Sequence, residues 1–228
     1  MLIEITGCTG AGKTTISNLV LKNLIELSVN AKLIDVGGQF RFDLIAFPWF
    51  LWFAFRHASF SWITIKSLIR DADSKFTALN IYRNFSKKIG IFQLLRTRLN
   101  RHDIIWDEGT VHAIHNLFVH VNSTPRVSDI TNFAYCVPMP DFLVYVRAPF
   151  DTIVSRTIKR GHRRAGNDEH DVRVFVTNAI ASFEILTSLD VIKERLLVVD
   201  NEDSNCSEID RIAKSITKQI LLKRHSRS

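Results

Sequence analysis

The residues with the clearest chemical meaning lie near the start of the chain. Residues 7–14 read Gly-Cys-Thr-Gly-Ala-Gly-Lys-Thr and match the phosphate-binding pattern G-x-x-x-x-G-K-[ST] at every position. Glycines let backbone N–H groups surround an oxyanion, and the N-terminus of a following helix adds a partial positive charge. In this pattern Lys13 reaches the β- and γ-phosphates of a nucleotide, and the hydroxyl group of Thr14 binds Mg²⁺. The pattern predicts nucleotide binding by Gly7, Thr9, Gly10, Ala11, Gly12, Lys13, Thr14 and Thr15.

A second candidate feature is a basic segment in the last third of the chain. Five basic residues fall within nine positions, namely Arg156, Lys159, Arg160, Arg163 and Arg164. Planar guanidinium groups bind several phosphate oxygens at once and offset the charge that develops on a phosphoryl group during transfer. The same run is also compatible with a solvated basic surface or with nucleic-acid binding.

These residues need a scaffold, and the sequence predicts one built from alternating strands and helices. Segments with helical spacing separate five short apolar segments that read as strands, at residues 1–6, 31–36, 104–106, 142–146 and 196–199. This alternation predicts a single α/β domain over residues 1–228, with a parallel sheet covered by helices on both faces. Ligands of such sheets bind beyond the carboxyl ends of the strands, where the phosphate-binding pattern also lies.

Composition is that of an ordinary globular protein with a basic excess. Of the 228 residues 46% are hydrophobic and 23% are charged, and the formal net charge is +7. Such an excess favours anionic partners, whether phosphates, nucleic acid or an acidic membrane face. Cys8, Cys136 and Cys206 have no metal-ligand spacing, and an apolar strand starts at once, which leaves no room for a signal peptide. We therefore expect a cytoplasmic protein.

Three features follow one another along the chain. They are a strand, phosphate-binding loop and helix, then the Asp107-Glu108 pair after the third strand, and then the basic segment after the fourth strand. The chain resembles the P-loop kinases, in particular the superfamily of nucleoside and nucleotide kinases that includes thymidylate and deoxynucleoside kinases. The resemblance covers most of the chain except residues 39–101. It implies a three-layer α/β/α P-loop NTPase fold with a five-stranded parallel sheet. It also implies transfer of the γ-phosphoryl group of ATP, with Mg²⁺, to a hydroxyl or phosphate acceptor that the sequence does not identify.

The resemblance assigns roles to individual residues. Asp107 would hold Mg²⁺ together with Thr14, and Lys13 would act on the transferring phosphate. Asp35, which closes the second strand, would accept the proton of the attacking hydroxyl group or help bind the acceptor; a solvated acid at a strand end is the alternative. Residues 156–168 would form a lid, in which Arg160 and Arg163 close over the phosphates and Arg156 stacks on adenine. Residues 201–205 would form the other wall around the adenine.

Glu108 departs from the resembled pattern, because thymidylate and deoxynucleoside kinases usually have Arg after the Mg²⁺-binding acid. An acidic residue there argues against an anionic acceptor. It also permits a second hypothesis, a P-loop ATPase or nucleotide-binding regulatory module in which Asp107 and Glu108 support hydrolysis. The position of the basic segment after the fourth strand favours a kinase lid over a nucleic-acid surface. The kinase is therefore the leading hypothesis, with no nucleic-acid partner.

Aromatic residues are concentrated in the region that the resemblance leaves out. Ten of them fall within residues 40–62, and the uncharged stretch 44–55 has 12 residues, whereas a transmembrane helix needs about 20. We predict no transmembrane span. Three interpretations of the segment remain open: a pocket for an apolar or planar part of the acceptor, an exposed face for homodimerisation or membrane contact, and a helical core. The spacing of His112, His115 and His120 does not predict a metal site.

Overall fold

The computed structural model describes the chain except for residues 35–39, 59–61, 63, 67–69, 71–73, 99–101, 162–163, 166–167, 203–205 and 227–228. Within this part of the chain, none of the helices combines the length and the apolar character that crossing a membrane requires.

Among the described residues, five strands form one sheet in which every pair is parallel. They are β1 (Leu2–Gly7), β2 (Ala31–Ile34), β3 (Asp103–Asp107), β4 (Phe142–Arg147) and β5 (Leu196–Asp200). Their order is β2-β3-β1-β4-β5, with β1 at the centre. In this register Ile5 of β1 lies beside Asp107 of β3, so the phosphate-binding loop and the Asp107-Glu108 pair leave the same edge of the sheet.

Helices cover both faces of the sheet. They are α1 (Lys13–Glu26), α2 (Phe40–Arg56), α3 (Lys75–Arg98), α4 (Ala113–Phe118), α5 (Val127–Cys136), α6 (Phe150–Arg160), α7 (Glu169–Ser188), α8 (Asp190–Lys193) and α9 (Cys206–His225). Strand side chains alternate between the faces. In β1, Ile3 and Ile5 therefore pack in the core shared with α1 and α9, whereas Leu2 packs on the opposite face.

The predicted three-layer α/β/α architecture with a five-stranded parallel sheet is confirmed. The sequence did not predict α5, because its buried side chains, Ile130, Phe133 and Ala134, occupy only about one turn and give too short a periodic signal. The second strand ends at Ile34 in the structure, and the predicted remainder, residues 35–36, lies outside the described residues.

The aromatic segment divides into a buried and an exposed half. Phe50 and Phe53 of α2 are buried, and the ring of Phe50 meets the ring of Phe85 of α3 edge to face. The helical core interpretation therefore holds for this half. Phe55 is 89% exposed, and the other large apolar side chains that α2 exposes are Leu44, Ile45, Phe47, Leu51 and Trp52.

Close contact between α2 and α3 depends on a glycine. A Cβ atom added at Gly90 of α3 would lie well inside van der Waals distance of the backbone carbonyl group of Ala46 in α2. The backbone of α2 cannot yield as a flexible side chain would, so only glycine allows the two helices this separation.

On the α3 and α4 side of the sheet, a buried carboxyl group interrupts the apolar pattern of β1. Glu4 is fully buried and accepts hydrogen bonds from the backbone N–H groups of Val111 at 3.1 Å and His112 at 2.7 Å. A Cβ atom at Gly109 would lie 2.6 Å from a carboxyl oxygen of Glu4, so a larger residue there would displace this carboxyl group. Burial raises the pKa of Glu4 to about 7, against the opposing effect of the two backbone donors. Glu4 therefore holds the loop that joins β3 to α4.

We predict that Gly90→Ala destabilises the protein. A glycine-to-alanine change inside a helix normally stabilises it by about 1 kcal/mol, but here the overlap with Ala46 forces α2 and α3 apart. We expect a loss of about 1–3 kcal/mol in the free energy of unfolding, measured by urea denaturation. A rise in stability would show that the helices are not packed this closely.

A second prediction concerns the pH dependence of stability. The pKa of Glu4 is about 7 in the folded protein and 4.5 ordinarily, so the folded state binds more protons between these values. Its contribution to the free energy of unfolding is therefore complete below pH 4.5 and is lost as the pH rises through 7, a change of about 3 kcal/mol.

Urea denaturation of the wild type and of Glu4→Gln across this pH range tests the prediction. The stability advantage of the wild type should shrink as the pH rises. Glu26→Gln, at an exposed position of α1, is the matched control and should give a constant difference. A constant difference for Glu4→Gln would contradict the elevated pKa.

Candidate functional site

The phosphate-binding loop has the backbone that its glycines predict. Gly7, Gly10 and Gly12 have φ angles of +148°, +89° and +94°, values that residues with a side chain rarely adopt. The backbone N–H group of Ala11 donates to the carbonyl oxygen of Cys8 at 3.1 Å, which closes the loop in a tight turn. Helix α1 then begins at Lys13, so its N-terminus faces the centre of the loop.

Thr14 and Asp107 are in contact at the carboxyl ends of β1 and β3. The hydroxyl group of Thr14 donates to a carboxylate oxygen of Asp107 at 2.7 Å, although 93 positions separate the two residues. Hydroxyl and carboxylate oxygens are the ligands that Mg²⁺ prefers. The donor set therefore fits the predicted magnesium site.

Lys13 lies between the loop and the end of β3. Its ammonium group donates to the carbonyl oxygen of Cys8 at 2.9 Å and forms an ion pair with Glu108 at 3.1 Å. Only 5% of its surface is exposed. Lys13, which is predicted to bind phosphate, is thus paired with a carboxylate of its own chain. This carboxylate lies where a phosphate of the nucleotide is expected.

Glu108 is held in an unusual conformation at the mouth of the site. Its φ angle is +61°, in the left-handed region that few non-glycine residues adopt. A carboxylate oxygen lies 3.5 Å from Nε2 of His112. Desolvation would raise the pKa of Glu108, but His112, Lys13 and Lys88 lower it well below its usual range. Glu108 therefore carries a negative charge beside Lys13.

The histidines after β3 belong to the protein interior. His112 and His115 are both 2% exposed, their rings stack 5.3 Å apart, and Nδ1 of His112 lies 3.1 Å from the hydroxyl oxygen of Thr6. Burial lowers the pKa of each well below its usual value, in His112 against the opposing effect of Glu108. His120 is buried and lies 3.0 Å from the carbonyl oxygen of Leu117. Within the described ranges, no three His, Cys, Asp or Glu side chains cluster as a metal site.

The described arginines of the predicted lid lie in different surroundings: one contacts the phosphate-binding loop, one is exposed and one points into the protein. Arg156 donates to the carbonyl oxygen of Gly10 at 2.6 Å and packs against that glycine, so it lies on the phosphate-binding loop. Arg160 is exposed in the last turn of α6. Arg164 points inward, where it donates to Asn116 at 3.3 Å and covers the ring of Phe175.

Two predicted catalytic residues, Asp35 and Arg163, lie outside the described residues. Among the predicted nucleotide-binding residues, Thr15 is exposed in the first turn of α1, next to Thr14. Their roles remain predictions from the sequence.

Asn201 belongs to the segment 201–205, which the sequence predicts as a wall around the adenine, but no sequence signal selects its side chain as a contact. Its amide nitrogen donates to the carbonyl oxygen of Ala11 at 2.8 Å and lies 2.5 Å from where a Cβ atom of Gly12 would be. Asn201 follows β5, and its only sequence signal was its place at a strand end. It fixes the back of the phosphate-binding loop against the sheet edge.

The sequence matches no protein-family model and no curated protein at a significant level. Its structure is similar to deoxyadenosine kinase from M. mycoides, solved with bound dATP, at a TM-score of 0.51 and 19% identity over 95% of this chain and 99% of that one. It is also similar to thymidylate kinase from Ehrlichia chaffeensis, at a TM-score of 0.54 and 15% identity over 96% and 98% of the two chains.

A third similar structure is thymidylate kinase from Candida albicans, at a TM-score of 0.57 and 16% identity, with 98% of this chain and 92% of that one covered. Because at least 95% of this chain is covered, most of residues 39–101, which the sequence resemblance left out, lie within these alignments. The chain has the fold of the nucleoside and nucleotide P-loop kinases.

Proposed function

We propose that the protein is an ATP- and Mg²⁺-dependent kinase that transfers the γ-phosphoryl group of ATP to a small-molecule acceptor of the nucleoside or nucleotide class. The observation that carries the proposal is the contact of Thr14 with Asp107 beside Lys13, at the end of a complete phosphate-binding loop. The kinase fold supports it, because the similar structures include a deoxyadenosine kinase with bound dATP.

The residues of this chain divide the work of phosphoryl transfer among them. The loop N–H groups and Lys13 bind the β- and γ-phosphates, and Thr14 and Asp107 hold Mg²⁺, which neutralises charge on the phosphates when bound. Arg156, Arg160 and Arg163 lie on or follow α6 and bind phosphate oxygens from the lid side. Asp35 orients the acceptor hydroxyl group or accepts its proton.

Nucleotide binding requires Lys13 to exchange partners. Its ammonium group is paired with Glu108 at 3.1 Å, and the γ-phosphate must take that place. A charge-assisted bond to phosphate then replaces the charge-assisted bond to carboxylate. Glu108 is then left with His112 as its neighbour.

The position of Glu108 also supports the second candidate function. An acid at the end of β3, beside Lys13, lies where it would polarise a water molecule for ATP hydrolysis. The P-loop ATPase or regulatory module thus remains the competing proposal.

We predict that Lys13→Ala lowers phosphoryl transfer by at least about 100-fold, the loss typical when one donor to a developing charge is removed. The variant should remain folded, which circular dichroism checks, but with a lower melting temperature, because Lys13 is buried and is the partner of Glu108. Lys22→Ala, at an exposed lysine of the same helix, is the matched control and should keep full activity. Transfer at the wild-type rate in Lys13→Ala would overturn the mechanism.

ADP release from ATP, measured with and without a panel of nucleosides, nucleotides, sugars and lipid alcohols, separates the two functions. Stimulation by one acceptor class identifies a kinase. In that case Glu108→Gln should keep acceptor-dependent turnover. Equal ADP release with every acceptor, lost in Glu108→Gln, would instead establish the ATPase.

A further inference from the structure

One buried cation in the structure has no partner. Lys88 of α3 is 8% exposed, and within the described part of the chain its ammonium nitrogen has no hydrogen-bond acceptor and no carboxylate at ion-pair distance. A buried charge without a partner is among the costliest features of a fold. Such a group calls for a ligand or a functional reason.

Helical geometry places Lys88 beside the candidate site. Phe85, Lys88 and Phe92 are spaced three and four positions apart, so their side chains share one face of α3. Phe85 belongs to the apolar cluster that contains Val111, and Phe92 packs in the cluster that contains Trp106 of β3. Lys88 therefore lies level with the carboxyl end of β3, where Asp107 and Glu108 leave the sheet.

The acidic groups that face Lys88 are already engaged. Glu4 accepts from two backbone N–H groups, Glu108 is paired with Lys13, and Asp107 accepts from the hydroxyl group of Thr14. Burial lowers the pKa of Lys88, although Glu108 and Glu4 act in the opposite direction. The nearby carboxyl groups thus oppose the effect of burial only in part, and none of them gives the ammonium group of Lys88 a direct contact.

The preceding lysine shows that α3 does pair its buried cations elsewhere. Lys87 is 5% exposed, and its ammonium nitrogen lies 3.6 Å from a carboxylate oxygen of Asp43 in α2. The same carboxylate group also binds Arg83 at 2.8 Å. Lys87 and Lys88 have similar burial but differ in having a partner, so Lys87 provides a matched control.

We propose that Lys88 binds an anionic group of the phosphoryl acceptor, and that this group is a phosphate monoester. The inference rests on the proposed kinase function, and it specifies the acceptor class. Lys13 serves the donor phosphates from the loop side, whereas Lys88 comes from α3 and interacts electrostatically with Glu108 and Asp107 at the end of β3. A dianionic phosphate would give the ammonium group the charge-assisted hydrogen bonds that the protein does not supply. The ammonium group of Lys88 would also offset the negative charge of Glu108, which by itself repels such an acceptor.

The experiment uses matched pairs of ligands that differ only in the phosphate. Calorimetric titrations with thymidine and dTMP, deoxycytidine and dCMP, deoxyadenosine and dAMP, and deoxyguanosine and dGMP are made in the presence of Mg²⁺ and the non-hydrolysable analogue AMP-PCP. Inorganic phosphate serves as a further probe. The wild type should bind at least one monophosphate 10-fold or more tightly than its nucleoside.

In Lys88→Met this preference should fall at least 10-fold, with the affinities for nucleosides and AMP-PCP within twofold of the wild type. Lys87→Met should keep the preference, and Lys88→Arg should retain part of it. The melting temperature of ligand-free Lys88→Met should equal or exceed that of the wild type, because the variant removes a desolvated charge.

Three results would overturn the inference. The first is an unchanged phosphate preference in Lys88→Met. The second is an equal loss of affinity for AMP-PCP and every acceptor, together with a lower melting temperature, which would assign Lys88 to the neutralisation of Glu4 and Glu108. The third is a wild type that binds AMP-PCP but none of the phosphate-bearing probes.

The outcome for the kinase function is read separately. Phosphorylation of nucleosides with no preference for monophosphates would leave the kinase in place and refute the role of Lys88. Monophosphate binding that depends on Lys88, without turnover of any acceptor, would support the role of Lys88 and refute the kinase function.

Discussion

The site depends on the hydrogen bond between Thr14 and Asp107. It joins the first turn of α1 to the end of β3 and brings together two segments far apart in sequence. The parallel register makes this contact possible, since Ile5 of β1 pairs with Asp107 and the phosphate-binding loop begins two residues after Ile5. A shift of β3 by one residue would turn Asp107 to the other face of the sheet and remove the carboxylate from Thr14.

Behind that contact lies a group of buried charges that an ordinary α/β core would not contain. Glu4 lies in the middle of β1, whose other side chains are largely apolar. The backbone N–H groups of Val111 and His112 stabilise its carboxyl group. Lys88 approaches from α3 with no direct partner in the described part of the chain. Buried polar groups of this kind lower stability unless they are satisfied, and proteins retain them mainly at functional sites. The charged interior therefore extends from the loop toward α3, the acceptor side of the proposed kinase.

The parts of this structure that the sequence predicted are those with a local signal. The phosphate-binding loop is recognisable because its glycines, lysine and threonine are consecutive, and the sheet is recognisable because its strands are short apolar runs between helical segments. Helix α5 was missed because its apolar pattern is short. Glu4 and Lys88 were missed because nothing near them in sequence indicates that their side chains turn inward. For the same reason, the segment 201–205 was predicted at the site without the side-chain contact of Asn201. The sequence shows that residues 40–62 are rich in aromatic side chains. It does not show which rings are buried, because their burial depends on where α3 packs.

The sequence by itself determined the nucleotide-binding loop, the order of strands and helices along the chain, and the acids that follow β3. These features depend on residue type and on spacing over a few positions. Only the tertiary structure decided that Glu108 pairs with Lys13, that Glu4 holds the loop before α4, and that Lys88 reaches the same strand end. The physical reason is that a charge is stabilised or destabilised by groups within a few ångströms of it. In this fold those groups come from strands and helices separated by tens of residues.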